Sequence, residues 1–419
     1  MSDTAVESGR PETDLPSDIG ADEGGQETPE AAPSRSREMW RDWRPSVLTG
    51  FWTWIAGLAA YAMCTFVAWL PTPGNEPTFY TVWEAWHGWD TDWYTIIADL
   101  GYHWDGRGPA FFPLYPMLIR ITNPILPGSS FHAGVILSAL AGLIAMIMMH
   151  RLTATFLGDA VAKRATFYLL AWPTGFFLVI AYNESLLVAL ALSSLYLMHR
   201  GKWAGAAILA AFASATRTGG VLLMVPFVLE YLRQHQWSPR KIRLDALWVL
   251  VAPLGLVIYM VYLWRSFGDP LAFQHAQSGW FRYGAKPPWT TMQYAWNIVD
   301  ERWPSLATES ARNVIAIALV AGSALLLTLA VAGRWRLRPE MLYLTAFSAV
   351  TVLLPLCSPV QLNQPPLPGF WRYLLEAPVL FIMLAQFGRN FAFDRVYTFV
   401  VISVQGIMVT TFLHEAFVA

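Results

Sequence analysis

Charge is what this chain has least of. Only 14% of its 419 residues are Asp, Glu, Lys or Arg, against about 25% in a soluble domain. A soluble globular class is therefore excluded. Cysteine is equally scarce: Cys64 lies inside an apolar run and Cys357 near the end of another. Neither has metal-ligand spacing, so we expect no disulfide and no structural zinc. There is no P-loop, no G-x-G-x-x-G, no H-E-x-x-H and no G-x-S-x-G. These absences exclude a soluble nucleotide-binding domain and the common hydrolase signatures. An enzyme with this composition needs a substrate already anchored in lipid. The N-terminus also lacks the basic start and apolar run of a signal peptide.

What the chain does have is hydrophobic length. Hydrophobic residues make up 55%, and apolar runs of about 20 residues recur, the length that crosses a bilayer core. The 21 tryptophans suit the water–lipid boundary, where a flat ring with one polar atom satisfies both sides. The same rings also stack on sugars. The fold class is therefore an all-α polytopic membrane protein.

The charges that remain are sorted by position. Residues 1–34 carry nine Asp or Glu and one Arg among Pro, Gly and Ser, a composition that cannot bury enough surface to order itself. We assign 1–45 to a disordered acidic cytoplasmic tail and 46–419 to the membrane domain. Arg35, Arg37, Arg41 and Arg44 precede the first apolar run, which places the N-terminus in the cytoplasm by the positive-inside rule. Basic clusters at 163–164, 199–202, 233–243, 334–338 and 389–395 all fall on that same side. About 11 transmembrane or re-entrant segments follow, with the C-terminus outside. The block Trp203–Tyr231 must pass an even number of times but is short for two full spans. It reads as two short spans or a re-entrant pair, with Arg217 at its outward tip.

The outward loops hold the unusual residues. Trp89–Tyr102 reads W-D-T-D-W-Y-T-I-I-A-D-L-G-Y and Ala110–Pro116 reads A-F-F-P-L-Y-P. Asp90, Asp92 and Asp99 sit directly after the first span, and carboxylates near hydrocarbon are expensive enough to signal chemistry. As a helix, Trp89, Trp93, Ile96, Ile97 and Leu100 form one apolar stripe, the pattern of a helix lying in the membrane interface. As an extended stretch, Asp90 and Asp92 would share a face. Either way a carboxylate is held at the edge of an apolar layer, where partial desolvation favours proton acceptance. Three solvated loop acids are the plain alternative.

Arg217 and Arg372 stand at outer ends of membrane segments, and the planar fork of Arg matches phosphate. Each could equally snorkel or form a structural salt bridge with Glu184 or Glu376. The loop Phe267–Arg282 adds a Gly268-Asp269-Pro270 turn followed by Gln274, His275, Gln277, Trp280 and Arg282. These side chains suit a hydroxyl-rich ligand or an ordinary polar loop. His275 has no metal-type partner nearby in sequence.

Taken together, W-D-T-D-W-Y, I-A-D-L-G-Y and A-F-F-P-L-Y-P resemble the PIG-V family of membrane mannosyltransferases. The resemblance continues through N-E-S-L-L-V-A-L (183–190), A-T-R-T-G-G (215–220), F-G-D-P-L-A-F (267–273) and R-Y-L-L-E-A-P (372–378), covering about 47–415. It implies a GT-C glycosyltransferase fold and a sugar taken from a polyprenyl-phosphate carrier on the extracytoplasmic face. Asp90 matches the family's W-D acid and Asp92 a position often acidic there. The family's frequent T-R-P is T-R-T here, so the kink after Arg217 is in question. The acidic, Ala-rich tail is bacterial in style, which implies a bacterial plasma-membrane relative, and GPI synthesis does not follow for it.

The resulting expectation is an inverting transfer of a mannosyl or related residue to a lipid or glycan acceptor. Asp90, with Asp92 as second candidate, is the general base. Arg217 and Arg372 bind the donor phosphate. Trp89, Trp93, Tyr94, Glu184, Asp269, His275 and Trp280 are candidates for substrate binding. The partners are the polyprenyl-phosphate sugar, the acceptor and membrane lipids, with no nucleic acid and no cofactor expected; a metal requirement stays open. The alternatives are a lipid-linked sugar flippase or transporter, for which no inverted repeat is evident, and a non-catalytic subunit of a glycan assembly complex.

Overall fold

The computed structural model describes residues 35–69, 78, 83–102, 106–305, 308–361 and 366–416. Residues 1–34 of the expected tail lie outside this set. Residues 35–45, assigned above to the tail, belong to the first helix, α1, Arg35–Trp69. The tail composition of 1–34 gives way there to Arg, Glu, Met and Trp, which tolerate a helix. By contact density the chain divides into two units, Met1–Asp42 and Trp43–Ala419. Everything below concerns the second.

Every described element is helical. After α1 come α2 (Asp90–Leu100), α3 (Leu114–Thr122), α4 (Ser130–Leu157), α5 (Asp159–Ala171), α6 (Glu184–His199), α7 (Trp203–Thr216) and α8 (Met224–Gln234). They are followed by α9 (Leu254–Phe267), α10 (Pro288–Arg302), α11 (Thr308–Val331), α12 (Leu342–Leu356), α13 (Pro378–Phe387) and α14 (Phe391–Leu413). Among the described residues, five helical stretches are long and apolar enough to cross a membrane, and seven if each of two bent pairs counts as one span. The other segments in the expectation of eleven are shorter; α6 and α7, at 16 and 14 residues, are apolar but below full span length.

The centre is the α4–α6–α7 packing. Ala206, Ala207, Ala210 and Ala213 on α7 are all fully buried, and Ser194 of α6 donates to the Ala206 carbonyl at 2.7 Å. Small side chains let membrane helices approach closely enough for such contacts. At the end of α7 the chain turns through a 3₁₀ segment, Thr218–Leu223, into α8. So 203–234 is two short helices joined by a tight turn, and Arg217 stands at that turn. The turn needs glycine: a Cβ on Gly220 would lie 2.1 Å from the Ala213 carbonyl carbon and 2.4 Å from the Ser214 nitrogen.

Two breaks shape the site. Leu244–Val251 and α9 meet at 45°, and Phe370–Glu376 meets α13 at 84°. Pro378 opens α13, where its missing N–H is harmless and its fixed φ favours a helix start. The sharp second break presents Arg372, Tyr373 and Glu376 to a cavity.

We predict that Gly220→Ala forces the α7–α8 turn apart and costs about 1–3 kcal/mol by overpacking. The measurement is a lower thermal-unfolding midpoint in detergent than wild type. An unchanged midpoint would show that the turn has slack.

Candidate active site

Four segments that are distant in sequence converge on one cavity of about 1130 Å³. They are the start of α2 with Asp90, the start of α6 with Glu184, the end of α7 with Arg217, and the broken segment carrying Arg372 and Glu376. Hydrogen bonds to backbone tie their ends together. Thr91 donates to the Ala181 carbonyl at 3.2 Å and Tyr182 to the Gly88 carbonyl at 3.2 Å. Asn183 donates to the Thr216 carbonyl at 3.0 Å. Trp172 and Thr174 each donate to the Trp371 carbonyl at 3.0 Å.

The W-D-T-D-W-Y stretch is helical, so the extended alternative does not apply. α2 begins at Asp90 after Trp89, whose φ is 59°, and Asp90 and Asp92 in its first turn complement the helix dipole. It stops at Gly101, whose φ of 82° is readily adopted only by glycine. The face packed on protein is distinct from most of the stripe expected to lie in the membrane interface. Thr91, Tyr94, Ile97 and Ala98 are buried, in a cluster with Phe111, Tyr115, Ile119 and Ala133, whereas Ile96 and Leu100 are exposed. The reason is that α2 packs on both α3 and α4, so a face rotated from the most apolar one is covered.

The core of the site is an ionic network. Glu184 is fully buried, with 0% side-chain exposure. Its Oε1 accepts from Arg217 Nη1 at 2.9 Å and from Arg372 Nε at 2.9 Å; Arg372 Nη2 also donates to it. The same Nη2 donates to Asp90 Oδ2 at 2.9 Å. Arg217 Nη1 also pairs with Glu376 Oε1 at 3.2 Å. Aromatic rings close the remaining faces: Arg217 lies 4.5 Å over Tyr373, and Arg372 lies 4.7 Å over Phe177 and 4.9 Å over Tyr182. Two guanidinium groups therefore meet three carboxylates. Such buried pairing is what makes charge tolerable away from water.

Asp90 and Glu376 both reach from this network to the cavity, and Asp90 is the more exposed of the two. Its side chain is 30% exposed, it lines the cavity, and Arg372 fixes its orientation. Trp89, Trp93, Tyr94, Arg217, Arg372 and Trp280 line the same cavity. Trp93 stacks on Phe111 at 5.4 Å, and Trp280 meets both rings edge-on, at 5.9 and 5.6 Å.

Other expected residues are placed elsewhere. Glu184 sits behind Arg217 and Arg372 and does not line the cavity; it is their counter-charge. Asp92 turns away, with 51% of its side chain exposed, and pairs with His87 Nε2 at 3.3 Å. The helical turn between Asp90 and Asp92 sends them to different faces. Asp99 accepts from Ser130 at the start of α4. Asp269 and His275 pair with each other at 2.7 Å, and the His275 side chain is 65% exposed. Asp269 also accepts from the Leu271 amide at 2.9 Å, so the pair pins the loop turn. The His275 hydrogen bond holds the Asp269 carboxyl below the usual carboxylate range. From that loop it is Gln274, Gln277 and Trp280 that reach the cavity. Among the described residues no group of three His, Cys, Asp or Glu could hold a metal ion.

Sequence reasoning missed Tyr182 and Phe177, the rings under Arg372, and named Glu376 only as an alternative salt-bridge partner of the arginines, a pairing that Arg217 makes. The signal for Glu376 was present in R-Y-L-L-E-A-P, four residues from Arg372. The rings lay in an aromatic run ahead of N-E-S that reads as ordinary core.

The architecture is an all-α fold with several helices long and apolar enough to cross a membrane. It resembles ArnT from Cupriavidus metallidurans, solved bound to undecaprenyl phosphate, with a TM-score of 0.50 at 15% identity over 86% of this chain and 72% of that one. The oligosaccharyltransferase of Archaeoglobus fulgidus, solved tethered to an acceptor peptide, aligns more loosely: TM-score 0.39, 15% identity, 87% of this chain and 55% of that one. In sequence, residues 78–275 match the family model described as Mannosyltransferase (PIG-V). Over 173 residues the chain is 25% identical to GPI mannosyltransferase 2 of Yarrowia lipolytica, covering 38% of this chain and 48% of that protein. The alignment thus spans about half the length of that curated relative.

Removing the buried counter-charge tests the network. Glu184→Gln should take away the carboxylate that both guanidinium groups share, leaving Arg372 with Asp90 and Arg217 with Glu376, and cost about 1–3 kcal/mol of stability. It should be read as a lower unfolding midpoint in detergent. A variant as stable as wild type would mean that Arg217 and Arg372 do not depend on Glu184.

Proposed function

We propose that the protein is a membrane glycosyltransferase that moves a mannosyl residue from a polyprenyl-phosphate carrier to a hydroxyl of a lipid or glycan acceptor. The observation that carries the reading is Asp90: a carboxylate lining a large cavity, oriented by Arg372, which is itself held by a buried glutamate. The family match over 78–275 supports the sugar chemistry. The fold shared with ArnT, solved with undecaprenyl phosphate, supports a lipid-phosphate carrier. The network faces the segments that the loop charges assign to the extracytoplasmic side, so the site is read as opening there, in a plasma membrane.

The proposed step is a single displacement. An acceptor hydroxyl enters beside Asp90 and gives it the proton. The oxygen's electron pair forms the new bond to the anomeric carbon. The bond from that carbon to the phosphate oxygen breaks, and the polyprenyl phosphate leaves with the electron pair. Attack opposite the leaving group inverts the anomeric centre. Arg372 holds the Asp90 carboxylate in place by its 2.9 Å contact, so that no orientation need be found during reaction. Fixed donors in a site shielded from water also stabilise developing charge better than water does. The Trp93, Phe111 and Trp280 rings offer apolar faces on which a pyranose lies flat.

Asp90→Asn keeps shape and one hydrogen-bond acceptor but removes the base. It should lower transfer from radiolabelled polyprenyl-phosphate-mannose to extracted membrane lipids by about 10²–10⁴-fold, with expression and membrane insertion unchanged. Near-normal turnover would remove Asp90 from the role. Wild-type membranes that transfer no mannose to any lipid or glycan acceptor would defeat the reading itself.

A further inference from the structure

The two arginines expected to grip the donor phosphate are already engaged. Arg217 and Arg372 direct their donors to Glu184, Glu376 and Asp90, and rings cover their faces. A phosphate placed against them would meet three carboxylates. A different cation on the same wall is better matched. Arg282 lines the cavity, as do Arg107 and Arg312. Its hydrogen bond among the described residues goes from Nη1 to the Ser358 carbonyl at 2.7 Å, an acceptor without net charge. Backbone pairing fixes its position: Gln361 N donates to the Phe281 carbonyl at 2.8 Å and Lys286 N to the Cys357 carbonyl at 2.8 Å. The Gln361 side chain adds a bond to the Tyr283 carbonyl at 3.1 Å. Arg282 also acts electrostatically on Tyr373, the ring beneath Arg217. It therefore stands beside the ionic network and outside its neutralised core.

We propose that Arg282 is the seat of the donor's phosphate, its guanidinium pinned at the cavity wall by Ser358 and the paired 281–286 and 357–361 segments. It binds the phosphodiester of a lipid-linked sugar and, when the bond to the anomeric carbon breaks, takes up the charge gained by the leaving phosphate. Arg107 and Arg312 line the same cavity. Arg217 and Arg372 are then positioning residues, holding Asp90 and the broken segment in register. The proposal rests on the transferase reading above for the identity of the ligand, and on the charge arrangement for its place.

The test uses the full-length protein in nanodiscs and radiolabelled undecaprenyl phosphate as probe. Arg282→Gln should weaken equilibrium binding at least about tenfold, with Arg282→Lys intermediate because a point charge replaces the fork. On the wild-type protein the same lipid should slow phenylglyoxal modification of Arg282, located by peptide mass spectrometry; this arm holds even if the variant does not fold. Wild-type affinity in a folded Arg282→Gln protein, or modification of Arg282 that the lipid leaves unchanged, overturns the proposal. Binding through Arg282 without sugar transfer would support this site while sinking the transferase reading. Transfer with an unaltered donor KM in Arg282→Gln would do the reverse.

Discussion

The site depends on one buried carboxylate. Glu184, at the first turn of α6, receives both Arg217 and Arg372 on a single oxygen, and its other oxygen has no hydrogen bond among the described residues. The arrangement makes two arginines, from segments 155 residues apart, mutually dependent. Without it, like charges would separate and Arg372 would lose the constraint that aims it at Asp90. Burial makes the dependence steep, because a charge without a partner in a low-dielectric interior costs far more than on a surface. The reactive group proposed here is therefore oriented by residues that do not themselves touch substrate.

The broken helices serve the same end. A continuous span would bury its polar backbone and present side chains only sideways. The 84° break before Pro378 turns Arg372, Tyr373 and Glu376 toward the cavity, and the tight turn at Gly220 does the same for Arg217. Around them the packing is dense and small-residue, as in the α6–α7 contact. Above them are the aromatic rings and the 281–286 and 357–361 segments. The result is a rigid floor of charge beneath a wall built from loops, which suits a ligand with a lipid-borne phosphate and a sugar to be placed over one acid.

Much of the fold class was legible from composition and run length. The scarcity of charge, the apolar runs and the basic clusters gave a helical membrane protein. The motifs in 89–102, 183–190, 215–220 and 372–378 flagged the segments that meet in the site. The details that failed to show are those of facing. The α2 stripe read as a membrane-interface face, and the sequence did not show that Tyr94, Ile97 and Ala98 would pack against two neighbouring helices while Ile96 and Leu100 stay exposed. Asp92 was the second candidate behind Asp90, and two residues of helix turn it toward His87. Asp269 and His275 looked like ligands for a sugar and instead hold each other.

Local order, then, was settled by the chain itself: which segments are apolar, where α2 stops at Gly101, where α13 begins at Pro378, and which residues carry charge into an apolar setting. Those properties follow from short-range sterics and transfer free energies, which act within a few residues. Which charges meet was decided only by the assembled helices. An arginine is a phosphate ligand or a structural partner according to what lies within about 3 Å of it, and that distance is fixed by packing between segments up to 282 residues apart.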